Sequence, residues 1–329
     1  MNRKKLKTYH RKLKKRFSSF SLPPILPLSA FFYRQKLKKE YGIKARYNHF
    51  EKYKNADYRV TICMTVYNGS KTIEKAIESV ISQKVSFKFK MVIADDKSTD
   101  QTAKIIKKYQ VKYPDIIFPV LREKNIGIPY AYYDVVLNHV NTEYFLILDA
   151  DDWFTDPNKL QLQVVALDKH LDCGMCAHPA LYIESDPLRN RSKPYKKTKV
   201  YDRFIYCHTA SKMYRSSIFE FLRGKIPEVA NDVGLHIMAL MCQKMFFIDR
   251  VMTVYDRTAM GVSTGGRRDV YNAKQQASNA MLHRYSKGLF MDKKYFDREL
   301  LKKTDADLWE QFHREKGGSH QLFLEILNE

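Results

Sequence analysis

The segment Leu148-Asp149-Ala150-Asp151-Asp152-Trp153 puts three carboxylates within four residues, directly behind the apolar run Tyr144–Leu148. Carboxylates this close repel one another, and such a cluster is tolerated where a divalent cation or a basic partner offsets the charge. Hard oxygen donors suit Mg2+ or Mn2+, which also bind diphosphate oxygens. The plain alternative is a solvated acidic turn with capping duties for Asp156, and the apolar strand in front of the cluster argues against it. A second acidic pair, Asp95-Asp96, opens the run Asp95-Asp96-Lys97-Ser98-Thr99-Asp100. Ser98 or Asp100 can cap a following helix. Two adjacent carboxylates exceed that need and could accept hydrogen bonds from a base and a ribose. In Thr65-Val66-Tyr67-Asn68-Gly69, Tyr67 offers a stacking face and Gly69 permits close backbone approach. Cys173-Gly174-Met175-Cys176 has the spacing of a redox or metal motif. Alternation instead fits a core strand with Cys173, Met175 and Ala177 on one side, and no second cysteine pair lies at zinc spacing.

These residues need elements to hold them at one place. Arg59–Val66 is apolar and β-branched and predicts a strand. Lys71–Gln83 predicts an amphipathic helix with Ile73, Ala76, Ile77, Val80 and Ile81 on one face, capped by Ser70 or Asn68. Phe89–Ala94 predicts a strand, Thr102–Tyr113 a helix, Ile117–Leu121 a short strand, Tyr130–His139 a helix and Tyr144–Leu148 a strand. Strands alternating with helices across short loops predict a mostly parallel α/β sheet. Ligands of such sheets sit at the carboxyl ends of strands, where both acidic clusters fall. Further on, residues 184–204 read as a polar, basic loop or small insertion, Cys207–Tyr214 as a strand, Val233–Lys244 as a helix starting just after Asn231-Asp232, and Met245–Ile248 as a strand. Gly261–Arg268 reads as a glycine-bearing loop, and residues 269–329 as charged and helical.

The 329 residues are 44% hydrophobic and 13% aromatic, enough to bury a core and to exclude wholesale disorder. The formal charge of +22 is unevenly spread. Residues 1–60 hold 18 basic residues against three acids, a net +15, and the remainder carries +7. Leu6, Tyr9, Leu13, Phe17 and Phe20 fall on one helical face, with lysines and arginines around the rest. A basic amphipathic helix of this kind suits an anionic membrane surface; a solvated basic tail and a nucleic-acid arm are the competing readings. No apolar run reaches 18 residues, so no membrane-crossing helix is expected. The prolines after the basic start exclude a secretory signal. Five cysteines, an odd number in apolar contexts, predict reduced buried thiols and a cytosolic protein.

In their order along the chain, RVTICMTVYNGSKTIEKAIESVISQ, MVIADDKSTDQT, REKNIGIPYAYYDVVLNHVNTEYFLILDADDWF and ANDVGLHIMAL resemble the family 2 glycosyltransferases, of the GT-A fold. The resemblance covers about residues 59–266. It implies a Rossmann-like, mostly parallel sheet flanked by helices, a nucleotide-sugar donor (usually a UDP-sugar), a divalent metal, Mn2+ or Mg2+, and inversion at the anomeric carbon. Carried onto this sequence, it implies that Thr65, Tyr67 and Asn68 meet the nucleoside and that Asp95 and Asp96 meet base and ribose. Arg122, Asn125 and Gly127 form the segment ahead of the metal strand. Asp149 and Asp151 are the DxD pair, with Asp151 the favoured direct metal ligand. By the same resemblance Asp232 matches the aspartate that deprotonates the acceptor hydroxyl, although the family more often has Glu or Gly where Asn231 stands.

Thr258 occupies the position of a late histidine often found in the family, leaving Arg257, Arg267 and Arg268 as candidate substitutes. Tyr132-Tyr133 replace a more usual Arg or Asn. The QxxRW motif of processive synthases is missing, so a single addition is expected. The expected division is a basic arm and linker over 1–57, a GT-A domain over 58–266 and a helical extension over 267–329. The expected function is metal-dependent, inverting transfer of one hexose or N-acetylhexosamine to a cell-surface glycan or lipid-linked acceptor. The expected place is the cytoplasmic membrane face, bound through the arm, with no nucleic-acid partner. Two alternatives are weaker. A nucleotidyltransferase needs a glycine-rich, basic loop after the first strand, which VYNGSKT does not supply. A nucleic-acid-binding protein needs basic and aromatic residues over the folded body, whereas here the excess lies in the arm.

Overall fold

The computed structural model describes residues 57–127, 130–194, 196–218 and 232–258, with isolated positions at 276, 279, 280, 283 and 302. The basic amphipathic arm, the linker up to residue 56 and the glycine-bearing loop lie outside the described residues. So does the C-terminal extension, apart from those isolated positions.

The chain begins with the strand-helix alternation that its apolar pattern predicts. Strands β1 (Val60–Val66), β2 (Phe89–Asp95), β3 (Ile117–Leu121) and β4 (Tyr144–Ile147) are joined by helices α1 (Ile73–Ile81), α2 (Thr102–Lys112) and α3 (Tyr130–His139). β1 pairs parallel with both β2 and β4, and β3 lies parallel outside β2. Then follow β5 (Trp153–Phe154), α4 (Lys159–Lys169), β6 (Cys173–Ala177), β7 (Ala180–Ile183), β8 (Arg191–Lys193), β9 (Lys199–Tyr201), β10 (Met213–Arg215), α5 (Asp232–Cys242), β11 (Lys244–Phe247) and β12 (Thr253–Asp256). Among the described residues the large sheet has eight strands in the order β3-β2-β1-β4-β10-β6-β11-β9, with β10 antiparallel between β4 and β6. A small sheet, β5-β12-β7-β8, stands beside it.

Helices on both faces explain the nearly continuous burial of the central strands. Val60, Ile62, Met64 and Val66 point to one side and pack with Ile73, Ala76, Ile77 and Val80 of α1. Cys63, Phe145 and Ile147 point to the other and pack with Val135 and Val136 of α3 and with α5. All five cysteines are buried free thiols. Among the described residues no helix is long and apolar enough to cross a membrane.

Three local expectations need correction. The strand expected over Cys207–Tyr214 begins only at Met213, and Thr209–Ser211 form a buried 3-10 turn. A fully buried run is apolar whether it is extended or coiled, so alternation could not separate the two. In β6 the pairing with β11 shifts register between Lys244 and Met245. Cys173 therefore packs with Cys176 in one layer, while Met175 and Ala177 join the other. Lastly, α1 is entered through Thr72 with no side-chain cap. Asn68 and Ser70 instead tie this turn to the loop after β2: Asn68 Oδ1 accepts from Thr99 N at 2.8 Å, and Ser70 N donates to Asp100 Oδ2 at 3.1 Å.

Phe145 is fully buried in β4 and stacks on Tyr214 with ring centroids 5.2 Å apart. Phe145→Ala is expected to lower stability by about 3–5 kcal/mol, measured by urea unfolding.

Candidate functional site

The parallel strands β1, β2 and β4 all release their chains at one edge of the large sheet. At the end of β1, Tyr67 is 53% exposed, and Asn68 adopts φ 53°, a left-handed conformation that Asn tolerates. Gly69 is required by space, because a Cβ there would lie 2.5 Å from Val66 Cγ2. Asn68 N donates to Ser98 Oγ at 2.8 Å, so the exits of β1 and β2 are bound together. Thr65, the penultimate residue of β1, is partly buried.

Asp95 and Asp96 are both buried but differ in what they hold. Asp95 accepts from Ser98 N at 3.3 Å. Asp96 spends both oxygens on the next loop: Oδ1 accepts from Ile126 N at 3.0 Å and Oδ2 from Gly127 N at 2.8 Å. Asn125 Nδ2 donates to the Asp96 carbonyl at 2.9 Å, and Gly127 turns at φ 69°. Arg122 pairs with Asp134 of α3 and lies 3.7 Å from Asp96. The structure thus places Asp96, Arg122, Asn125 and Gly127 as one bonded unit that shapes the loop. Arg257 lies apart from that unit, with Nη1 donating to Glu184 Oε1 at 2.8 Å.

The acidic segment after β4 is a tight turn closed by Asp152 N donating to Asp149 O at 3.1 Å. Its buttress is the small sheet. Asp256 N reaches Asp152 Oδ1 at 3.4 Å, and Thr253 Oγ1 donates to Trp153 O at 3.0 Å. The same sheet fixes a histidine that sequence reasoning missed. The His208 ring stacks on Tyr255 at 4.1 Å and meets Tyr182 edge-on at 6.2 Å. Its Nε2 then stands 3.4 Å from Asp152 Oδ2. Asp149, Asp152 and His208 each offer a ligand atom, and the three atoms lie within 4.8 Å of one another. Asp151, favoured from the sequence, is outside this trio, half-buried and within the field of Asp256. Thr258 bonds Asp256 Oδ1 through both its N–H and its hydroxyl. The signal for His208 was faint: one histidine in a buried segment 56 residues past Asp152.

The charge balance of the turn is unfavourable as it stands. Burial, with repulsion from Asp151 and Asp232, pushes Asp149 up to about 7. Burial, with repulsion from Asp149 and Asp151, raises Asp152 well above the carboxylate range. His208 falls to about 3, through burial and the nearby Lys212 ammonium, so its imidazole is neutral and its lone pair is available. Asp152 Oδ2 is buried and, among the described residues, has no hydrogen-bond partner. Two carboxylates, a neutral imidazole and an orphaned oxygen fit a divalent cation.

Asp232 opens α5 across from this turn, near enough for its charge to act on Asp149. Burial alone would raise it, but the Lys212 ammonium and Thr209 hydroxyl hold it below its ordinary value. Lys212 Nζ lies 3.3 Å from Asp232 Oδ2, and Thr209 Oγ1 donates to the same oxygen at 2.9 Å. An ionised carboxylate therefore stands beside a place for a cation.

The family model described as glycosyl transferase family 2 matches residues 61–230. An uncharacterised protein of Mycobacterium tuberculosis is 30% identical over 210 residues, covering 62% of this chain and 60% of that protein. The putative glycosyltransferase EpsE of Bacillus subtilis is 34% identical over 117 residues, 35% of this chain and 41% of its own. Two solved structures share the fold. Staphylococcus aureus TarS 1–349 in complex with UDP-GlcNAc has a TM-score of 0.55 at 17% identity, covering 82% of this chain and 81% of that one. The mannosyltransferase PcManGT of Pyrobaculum calidifontis, in complex with GDP-Man and Mn2+, has 0.55 at 15% identity, covering 91% and 88%.

The raised values of Asp149 and Asp152 set a pH dependence. A carboxyl that is less acidic folded than unfolded favours folding only while protonated, so this contribution is lost as pH rises through about 7. Cation binding needs the deprotonated form and releases protons. Mn2+ is expected to bind more tightly at pH 8 than at pH 6, with proton release seen calorimetrically in buffers of different ionisation enthalpy. Asp152→Asn should raise the Tm of the cation-free protein at pH 8 by roughly 2–4 °C and weaken the further rise that Mn2+ gives the wild type. An unchanged Mn2+-induced rise in the variant would remove Asp152 from the site.

Proposed function

This chain belongs to glycosyl transferase family 2, and from that membership we propose that it moves a single hexose or N-acetylhexosamine, with inversion, from a nucleotide-sugar to an acceptor hydroxyl. The donor we propose is a UDP-sugar and the acceptor a cell-surface glycan or lipid-linked precursor. The observation that carries this reading is the pairing of an acidic turn, Asp149 to Asp152, with an ionised Asp232 at the start of α5.

Thr65, Tyr67, Asn68 and Asp95 would line the nucleoside end, where the exits of β1 and β2 are fixed to one another. Asp96, with Arg122, Asn125 and Gly127, would keep the adjoining loop in shape. A divalent cation, when bound, supplies positive charge against the departing diphosphate. Asp149, Asp152 and His208 would hold it, with Asp151 beside them. Asp232 would accept the proton of the acceptor hydroxyl as that oxygen attacks the anomeric carbon. Inversion by direct displacement needs no covalent enzyme nucleophile, and the buried thiols have their values pushed up by burial, which leaves them unreactive. The basic arm over residues 1–20 supports attachment to the inner face of an anionic membrane, and the missing QxxRW motif supports a single addition rather than processive synthesis.

A panel of UDP-, GDP- and dTDP-sugars with Mn2+, read as nucleotide release, tests the activity. Asp232→Ala and Asp151→Ala are each expected to lower turnover by about 10²–10⁴-fold with circular dichroism unchanged. Wild-type turnover in both variants would sink the assignment.

A further inference from the structure

Lys212 is 1% exposed, in the buried segment between the Thr209–Ser211 turn and β10. An ammonium is costly to bury and is kept where carboxylates surround it. Its Nζ lies 3.3 Å from Asp232 Oδ2 and 3.3 Å from the Asp232 carbonyl oxygen. Thr209 Oγ1 donates to the same Oδ2 at 2.9 Å. Both donors therefore hold one carboxylate oxygen, and the lysine also holds the backbone of the residue that opens α5. Among the described residues Oδ1 has no donor, and the Asp232 side chain keeps 20% of its surface exposed.

The clamp is built from elements that do not move independently. Ser211 Oγ donates to the His208 carbonyl at 2.6 Å, and Gln163 Nε2 of α4 donates to the Ser211 carbonyl at 3.0 Å. Met213 pairs with Leu146 of β4 and with Cys176 of β6. The turn bearing Thr209 and Lys212 is thus seated on the strand that delivers the acidic turn, so the clamp fixes Asp232 relative to Asp149.

We propose that Lys212 and Thr209 are positioning residues for Asp232, holding Oδ2 so that Oδ1 alone faces the acceptor hydroxyl. This rests on Asp232 being the proton acceptor of the proposed reaction. In that step the acceptor oxygen bonds to the anomeric carbon and gives its proton to Oδ1. The bond from that carbon to the diphosphate oxygen breaks, and the diphosphate leaves with the electron pair. A carboxylate free to rotate presents its oxygens at random, and loss of such alignment acts on turnover rather than on donor binding.

The test uses the full chain with Mn2+ and the donor giving the fastest nucleotide release in the panel above. Lys212→Met is expected to lower kcat about 100-fold and Thr209→Val about tenfold, with donor KM and the calorimetric Kd for the nucleoside diphosphate within about twofold. Lys212→Arg, which keeps a donor cation, should recover at least about tenfold over Lys212→Met. If Lys212→Met lowers the Tm too far to assay, Thr209→Val decides, since it removes only a hydroxyl. Wild-type kcat in Thr209→Val and Lys212→Met, with Asp232→Asn inactive, overturns the clamp and leaves Asp232 as the base. A loss that falls on donor KM instead of kcat also overturns it. Wild-type turnover in Asp232→Asn overturns the base assignment itself.

Discussion

Everything at this site follows from the repulsion among four carboxylates, Asp149, Asp151, Asp152 and Asp232, gathered at one edge of the large sheet. Asp149 is pushed up to about 7 by its burial and neighbours, while Asp232, equally enclosed, is held below its ordinary value. The difference lies in one cation and one hydroxyl, Lys212 and Thr209, that bond to Asp232. Lys212 sits within hydrogen-bonding reach of Asp232 and only within the field of Asp149. The turn after β4 is left with carboxyls that resist ionisation and, among the described residues, a buried oxygen without a hydrogen-bond partner, and α5 is left with a carboxylate that stays ionised. In the proposed displacement, charge relief for the leaving group and a base for the incoming one would be set apart by where Lys212 and Thr209 lie.

Holding like charges together needs a rigid frame. The large sheet delivers the ends of β1, β2 and β4 side by side because those strands are parallel and adjacent. The small sheet braces the acidic turn from beyond it, through Asp256, Thr253 and the Tyr255 ring against His208. The loop after β2 is braced in the same manner, with Asp96 accepting at both oxygens from backbone N–H groups of the neighbouring loop. Asp96 shows why a carboxylate at a strand end is not by itself a ligand. Its hydrogen-bonding capacity is already filled by its own chain.

Much of the first half of the fold was legible because local pattern and tertiary role agree there. Ile117–Leu121 and Tyr130–His139 fall where the apolar pattern puts them. Agreement failed where burial is complete on all sides. The segment around Thr209 reads as a strand but coils, and the register shift beside Gly174 sends Cys173 to the opposite layer from Met175. The strands of the small sheet that brace the site were also hard to see, because two to four residues carry too little pattern to stand out.

The sequence alone determined the acidic turn, its place behind an apolar strand, the aspartate at the start of a later helix and the concentration of positive charge in the first 60 residues. These are local in the chain, and spacing along it is enough to see them. Only the tertiary structure decided that His208 joins Asp149 and Asp152, that Asp96 serves its neighbouring loop, and that Lys212 and Thr209 share one oxygen of Asp232. Those groups lie 20 to 60 residues apart or on turns with no periodic signature, and their chemistry is set by desolvation and distance, which arise only once the sheet has brought them together.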